Sequence, residues 1–227
     1  MDRRQALRNI GWGAGVMVAT PTVISLLQSC KTEADKPAYV PVFTTAGEFH
    51  ALTTMVDLMI PSDETVPGAV DVGVPQFIDS YWQEVTPTTQ GKIWAERYEP
   101  LQANIKTFLK LLADEFRTTF NKELEDGEAT EFDQILAKYL KSSEEEQRAK
   151  YIKMSEFYEA YDADPTTSPD PDAAVFSLVA GIRGMSIWAW KSSEEIGKNV
   201  LWYDPVPGQQ KGCIPLSEAG NGNAMAL

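Results

Sequence analysis

Residues 59–79 read MIPSDETVPGAVDVGVPQFID, and this stretch decides how the fold is organised. Its three prolines and two glycines exclude a continuous helix or a central strand. Pro61 ends a preceding helix, Pro67 and Gly68 favour a turn, and Pro75 suits the first position of the next helix. Apolar residues recur throughout, which predicts an ordered loop held against a helical core: Ile60, Val66, Val70, Val72 and Val74. The residues alone leave open a plainer interpretation, a long helix connection with a few buried valines.

The flanking sequence is helical in pattern. Thr45 and Glu48 have capping-box spacing, with apolar residues following at helical period. Further amphipathic stretches follow the loop, and we expect Pro100 to break or kink the one that ends near Phe120. Ser142 or Ser143 begins another helix. The sequence therefore predicts an all-α domain over residues 45–216, with long ordered loops rich in proline and glycine.

The most apolar helix of this domain is predicted over residues 175–190. Gly181 and Gly184 lie within it, and we expect them to let a neighbouring backbone approach closely. The stretch 162–172, with three prolines and four aspartates, is predicted to be a loop. It lacks the glycine and the closing glutamate of a calcium-binding loop, so a solvated acidic loop is the favoured interpretation.

Residues 1–29 are typical of an export signal. Arg3, Arg4 and Arg8 precede a glycine-containing, mildly apolar segment. The paired arginines resemble the twin-arginine export motif, although Ala6 replaces its usual phenylalanine. An ordinary secretory signal or an uncleaved N-terminal anchor remains the alternative at this point.

A lipid anchor is predicted at Cys30. Leu27, Gln28, Ser29 and Cys30 resemble a bacterial lipobox, in which the cysteine becomes the lipid-bearing first residue. Residues 30–44 then form a flexible tether to the membrane, and residues 217–227 are predicted to be a disordered tail. The mature chain is therefore expected on the periplasmic side of the cell envelope.

The charge and the cysteine content exclude several classes of function. The formal net charge is −13, and it becomes −15 when the presumed signal, with three arginines and one aspartate, is removed. Such a chain does not seek nucleic acids or anionic lipid surfaces by electrostatic attraction. Cys213 is the only cysteine besides Cys30, which excludes a disulfide framework and a cysteine-rich metal or iron–sulfur site.

The sequence contains few residues that indicate catalysis. His50 is the single histidine, and its place in the first turns of a helix favours a surface role over that of a catalytic base. No nucleophile-elbow, zinc-protease or phosphate-loop motif occurs. Asp57, Asp63 and Glu64 lie near the organising loop, so a stand-alone enzyme or a ligand-binding protein with an acidic pocket remains the alternative function.

Two motif blocks resemble the gluconate 2-dehydrogenase subunit 3 family. The first block comprises DLMIP at residues 57–61, PGA at 67–69 and GVPQFID at 73–79. The second comprises SSEEIG at 192–197, YDPVPG at 203–208 and GCIPL at 212–216. The two blocks bracket nearly the whole predicted domain, while the middle contributes only helical character.

The resemblance implies a small, non-catalytic subunit of a membrane-associated, FAD-dependent dehydrogenase acting on sugars, sugar acids or polyols. It implies that the FAD lies in a large partner subunit similar to glucose–methanol–choline oxidoreductases, that this chain holds no cofactor, and that a cytochrome c subunit takes the electrons. It also implies that Arg3 and Arg4 direct export of the complex.

The two motif blocks also suggest where the large subunit binds. Both contain turns fixed by proline that carry apolar or aromatic groups, a character that suits a partly preorganised docking surface. We expect them to lie side by side, with these residues at the interface: Ile60, Pro61, Val66, Pro67, Gly68, Pro75, Trp202, Tyr203, Pro205, Pro207 and Gly208. The alternative is that both segments cover only the helices of their own domain.

Overall fold

The structure, a computed structural model, describes residues 39–84, 92–202, 213–218 and 220–224. The chain divides into residues 1–39 and residues 40–227, and every described helix belongs to the second unit. The described part of this unit contains helices and no strand, which confirms the all-α class. The export signal and most of the tether lie outside the described residues.

The described residues of this unit form six α-helices: α1 Ala46–Met59, α2 Val74–Glu84, α3 Lys92–Phe120, α4 Ala129–Leu140, α5 Glu144–Ala163 and α6 Pro171–Ser192. Shorter turns of 3-10 helix occur at Leu124–Asp126, Leu216–Glu218 and Gly220–Gly222. A five-residue π-helical turn, Ile196–Val200, follows α6. The last of these turns, Gly220–Gly222, lies within residues 217–227, for which a disordered tail stays a prediction.

Local capping fixes where the helices begin. The Thr45 side chain accepts the Glu48 N–H, and Glu48 accepts the Thr45 N–H at 2.8 Å, which confirms the predicted capping box of α1. The same reciprocal arrangement begins α5 with Ser143, which decides between the two candidate serines. Asp170 accepts the Ala173 N–H at 2.9 Å at the start of α6. Each such cap contributes about 1 kcal/mol to helix stability.

Helix α6 lies at the centre of the domain and contacts each of the other five helices. Its buried residues include Phe176, Val179 and Ile182, each at most 1 % exposed. Among the described residues, it is the one helix whose length and composition would allow it to cross a membrane, and half of its apolar window is buried inside the fold. Its apolar character is therefore explained in large part by its position in the core.

The structure differs from three sequence predictions about helices and loops, while a kink of α3 at Pro100 stays a prediction. Helix α3 does not break at Pro100 but runs from Lys92 to Phe120. A proline inside a helix costs about 3 kcal/mol, and the fully buried Leu112 and Phe116 show how firmly the later turns of α3 are held by the core. Most helical stability in proteins comes from such packing rather than from local propensity.

The acidic loop is shorter than predicted, because α5 extends to Ala163 and α6 already begins at Pro171. The two glycines of α6 also differ from expectation. A Cβ atom added at Gly181 or at Gly184 would meet no other atom within 4 Å. Among the described residues, no neighbouring element therefore approaches these glycines closely.

Candidate functional site

The organising loop between α1 and α2 is ordered by its own hydrogen bonds. The Ala69 N–H donates to the Ile60 carbonyl at 2.9 Å, which brings the two ends of the loop together. At its tip, Asp63 Oδ1 accepts the N–H groups of Thr65 and Val66 at 2.7 and 2.8 Å. These bonds hold the pKa of Asp63 below its usual value, because they favour the charged carboxylate.

A second carboxylate closes the inner part of the loop. Asp71 Oδ2 accepts the Ser62 hydroxyl in a short hydrogen bond and the Gly68 N–H at 2.9 Å. These two bonds lower the pKa of Asp71. The backbone approaches Gly68 so closely that an added Cβ would lie 2.5 Å from the Ser62 nitrogen and 2.8 Å from the Pro61 carbonyl carbon. Glycine is therefore required here for steric reasons.

Helix α6 fixes the loop to the domain, since the Trp190 indole N–H donates to the Pro67 carbonyl at 3.0 Å. Of the six interface residues predicted in this region, Gly68 and Pro75 are buried within the subunit, and Ile60 packs against the core. Val66 and Pro67 are half-buried, while Pro61 is exposed. The loop thus presents only part of the predicted set to solvent.

The second predicted interface segment is described only at its edges. Trp202 is half-buried, and its backbone N–H donates to the Ala224 carbonyl at 2.7 Å. Tyr203, Pro205, Pro207 and Gly208 lie outside the described residues, as do Arg3, Arg4 and Cys30. The prediction that this segment lies beside the loop therefore stays a prediction.

The fully buried carboxylate of Asp79 anchors the beginning of the domain. Asp79 accepts the N–H groups of Val42 and Thr44, each at 2.7 Å, and the Thr44 hydroxyl at 2.6 Å. The Phe43 N–H also points to this carboxylate, at 3.3 Å from Oδ1. Lys106 donates to the Phe43 carbonyl and lies 4.1 Å from the centre of the Phe43 ring. Residues 42–44 are therefore firmly attached where the predicted tether ends.

A cluster of charged groups joins α3, α4, α5 and α6. The Tyr139 hydroxyl donates to Glu115 at 2.5 Å, and Lys138 donates to the other oxygen of Glu115 at 2.8 Å. The carboxylate of Asp172 forms two ion pairs, with Oδ1 3.2 Å from Lys138 Nζ and Oδ2 3.2 Å from Lys150 Nζ. Burial raises the pKa of Tyr139, and the bond to Glu115 raises it further. Each carboxylate in this cluster has a cationic partner, which is the arrangement expected of a structural contact between helices.

No described side chains form a recognisable catalytic arrangement. His50 is exposed, and its Nε2 lies 2.9 Å from the Gly127 carbonyl, where it acts as a donor on a structural turn. Within the described ranges, no three histidine, cysteine, aspartate or glutamate side chains are grouped so that they could hold a metal ion.

An exposed aromatic surface on α2 and α6 was missed in the sequence. The Phe77 ring lies 5.9 Å from that of Tyr81 and 5.4 Å from that of Trp188. Phe77, Tyr81, Ile187 and Trp188 are between 38 % and 49 % exposed, and we call them the aromatic surface. Their helical spacing is also that of a core face, so the sequence could not show that these rings reach solvent.

An apolar groove adjoins this surface between α2, α3, α5 and α6. It has a volume of about 210 Å³ and carries no charged lining residue, and Tyr81 belongs to both the groove and the aromatic surface. Its walls include Leu101, Phe108, Gly181 and Met185. We call it the α2–α6 groove. Exposed apolar patches of this kind mark binding sites more often than ordinary protein surface.

Comparison with known proteins identifies a family for this chain. The family model described as gluconate 2-dehydrogenase subunit 3 matches residues 46–208, which is more than two thirds of the chain. The matched range begins at the first residue of α1 and includes both the organising loop and the aromatic surface. No curated protein and no solved structure matches the chain.

Proposed function

Because the chain belongs to the gluconate 2-dehydrogenase subunit 3 family, we propose that it is the small, non-catalytic subunit of a periplasmic FAD-dependent sugar or polyol dehydrogenase. Family membership places the chain in a dehydrogenase complex. Within that complex, the proposed role is to escort the large subunit during export, to stabilise it and to attach it to the membrane. The observation that carries this proposal is the family match over the whole helical domain.

In the proposed complex, other chains carry out the oxidation and the electron transfer. The FAD belongs to the large subunit, which is of the glucose–methanol–choline type, and a cytochrome c subunit takes the electrons. The described part of this chain supports that assignment, because Glu115 and Asp172 each contact a lysine and His50 contacts the Gly127 carbonyl. A subunit of this kind contributes binding surface rather than reacting groups.

The N-terminal residues supply the proposed route and anchor. Arg3 and Arg4 direct export by the twin-arginine route, which carries folded proteins, and Cys30 bears the lipid. The net charge of −15 after cleavage favours a covalent lipid over electrostatic attraction as the means of membrane attachment. The firm attachment of residues 42–44 by Asp79 gives the tether a fixed point on the domain.

The proposal is tested by affinity purification of the chain from native membranes. We expect a yellow flavoprotein to co-purify and dehydrogenase activity to accompany it. The Cys30→Ala variant should release both chains into the soluble fraction, and Arg3→Lys with Arg4→Lys, which keeps the charge, should block export of both. Activity of the purified chain without a flavoprotein, or purification without any flavoprotein partner, would contradict the proposal.

A further inference from the structure

The end of the described chain contacts Trp202. Residues 220–224 lie against this half-buried tryptophan, whose backbone N–H donates to the Ala224 carbonyl at 2.7 Å. On the other side, the Leu201 N–H donates to the carbonyl of Ile196 at 2.8 Å, and Ile196 is a fully buried residue of the turn that follows α6. Trp202 is therefore connected both to the turn after α6 and to the end of the described chain.

A glycine at position 220 makes this contact possible. A Cβ added at Gly220 would lie 2.2 Å from Cγ of Trp202 and 2.4 Å from its Cβ and Cδ2. Because Cβ of Trp202 is bonded to its own backbone, a rotation of the ring cannot relieve this overlap. The φ of Gly220 is +54°, in the left-handed region that favours glycine. The backbone of Gly220 therefore lies directly against the Trp202 side chain.

A short turn shapes the chain around the tryptophan. Residues 220–222 form a 3-10 turn, and the Asn223 N–H donates to the Gly220 carbonyl at 3.0 Å. Gly222 also has a positive φ, +83°, but a Cβ added there would meet no described atom within 4 Å. Both glycines therefore allow the backbone to turn, and the close approach to Trp202 occurs at Gly220.

The contact joins the two ends of the chain segment that carries most of the second motif block. The family match ends at residue 208, so residues 220–224 lie beyond it, whereas Trp202 lies within it. The motifs YDPVPG at 203–208 and GCIPL at 212–216 both lie between Trp202 and Gly220 in the sequence. Since Trp202 and Gly220 are in contact, this segment begins and ends at one place. Fixing both ends of a segment limits the conformations that it can adopt.

We propose that residues 220–224 form a C-terminal strap, which locks Trp202 beside the turn that follows α6 and thereby restricts the second motif block. Release of the strap loosens this block and leaves the helical core folded. The described contacts of the strap with Trp202 are a backbone hydrogen bond and the packing of Gly220 on the indole. Segments held by few contacts open at a low cost in free energy, whereas core residues such as Phe176, 1 % exposed, open only with the whole domain.

The test follows hydrogen exchange at the Trp202 amide of the full chain. Gly220→Asn and Gly222→Asn are a matched pair, because both positions have a positive φ, which asparagine tolerates better than most residues. Gly220→Asn places a Cβ against the indole and should accelerate exchange by about fivefold to tenfold, as expected for the loss of one backbone hydrogen bond. Gly222→Asn places its Cβ in open space and should leave the rate within about twofold.

Two truncated chains test the strap without a substitution. A chain that ends at Leu216 lacks the strap, and its Trp202 amide should exchange at least as fast as in Gly220→Asn. A chain that ends at Met225 is the control, because it keeps the Ala224 peptide carbonyl that accepts the Trp202 N–H. Both chains should retain the helical circular dichroism and a single urea transition, since the strap lies outside the helical core.

Three results would overturn the inference. Unchanged exchange at Trp202 in the chain that ends at Leu216 would show that residues 220–224 do not hold the tryptophan. Equal acceleration in Gly220→Asn and Gly222→Asn would assign the effect to the backbone of the turn rather than to the contact with the indole. Loss of helical circular dichroism in the chain that ends at Leu216 would make the end of the chain a part of the core instead of a strap.

Discussion

The attachment of residues 42–44 to Asp79 makes the substitution Asp79→Asn informative. Asparagine keeps the volume of the side chain but has one acceptor oxygen, and its NH2 group must face either the Val42 N–H or the Thr44 N–H, both 2.7 Å from the present carboxylate. The change removes one charge-assisted hydrogen bond and weakens the others. Hydrogen bonds to charged groups contribute about 1.5–3 kcal/mol each to stability. We therefore expect the substitution to lower the free energy of unfolding by about 2–3 kcal/mol.

Urea unfolding of the subunit, followed by circular dichroism, measures this loss. In a domain of this size, a loss of about 1 kcal/mol in the free energy of unfolding lowers the midpoint of thermal unfolding by about 2–4 °C. The midpoint of the variant should therefore fall by about 5–10 °C. Hydrogen exchange adds a local measurement, because the amides of residues 42–44 should exchange much faster in the variant.

Asp57→Asn is the control for this experiment, since Asp57 is an exposed carboxylate on α1. Exposed substitutions of this kind usually change stability by less than about 0.5 kcal/mol. A loss below about 1 kcal/mol in Asp79→Asn, together with unchanged exchange at residues 42–44, would refute the argument that this carboxylate fixes the start of the domain.

Three further predictions concern the loop and the core. Gly68→Ala should cost about 1–3 kcal/mol in urea unfolding, since its Cβ would overlap backbone atoms of Pro61 and Ser62; Gly184→Ala, in open space, should be neutral or stabilising. The pKa of Asp71 is lowered in the fold. Its contribution to folding stability is therefore present above about pH 4 and is lost on acidification. Amide exchange of the loop should therefore accelerate below pH 4, whereas Asp71→Asn should exchange rapidly at every pH. The pKa of Tyr139 is raised, so its contribution to folding stability is present below about pH 10 and is lost above it. Tyr139→Phe should lower the free energy of unfolding by about 1–2 kcal/mol at pH 8. The same substitution should weaken the dependence of stability on pH between about 9 and 11.

The sequence by itself determined the helical class, the capping box of α1 and the family. Short-range rules suffice for these features, because a capping box such as Thr45 with Glu48 involves residues only three positions apart. The same holds for the turn at Gly68, whose prolines restrict the backbone directly. The ordered motifs at both ends of the domain led to the family that the comparison then showed.

The errors arose where distant residues compete with local preference. Pro100 disfavours a helix locally, yet α3 continues because its later turns are buried against the core. Gly181 and Gly184 predicted a close neighbour, but a glycine pattern states only that an approach is sterically allowed. Whether another element of the same chain occupies that space depends on how the helices pack against one another.

The position of the aromatic surface was decided by the tertiary structure alone. The spacing of Phe77 and Tyr81 places both rings on one side of α2, and this spacing is the same for a core face and an exposed face. The pairing of Phe77 with Trp188, more than 100 residues later, depends on the packing of α2 against α6. Burial is a property of the whole assembled chain, whereas periodicity is a property of one segment. For that reason the sequence identified the helix that carries this surface, and only the packed domain showed that the surface faces solvent.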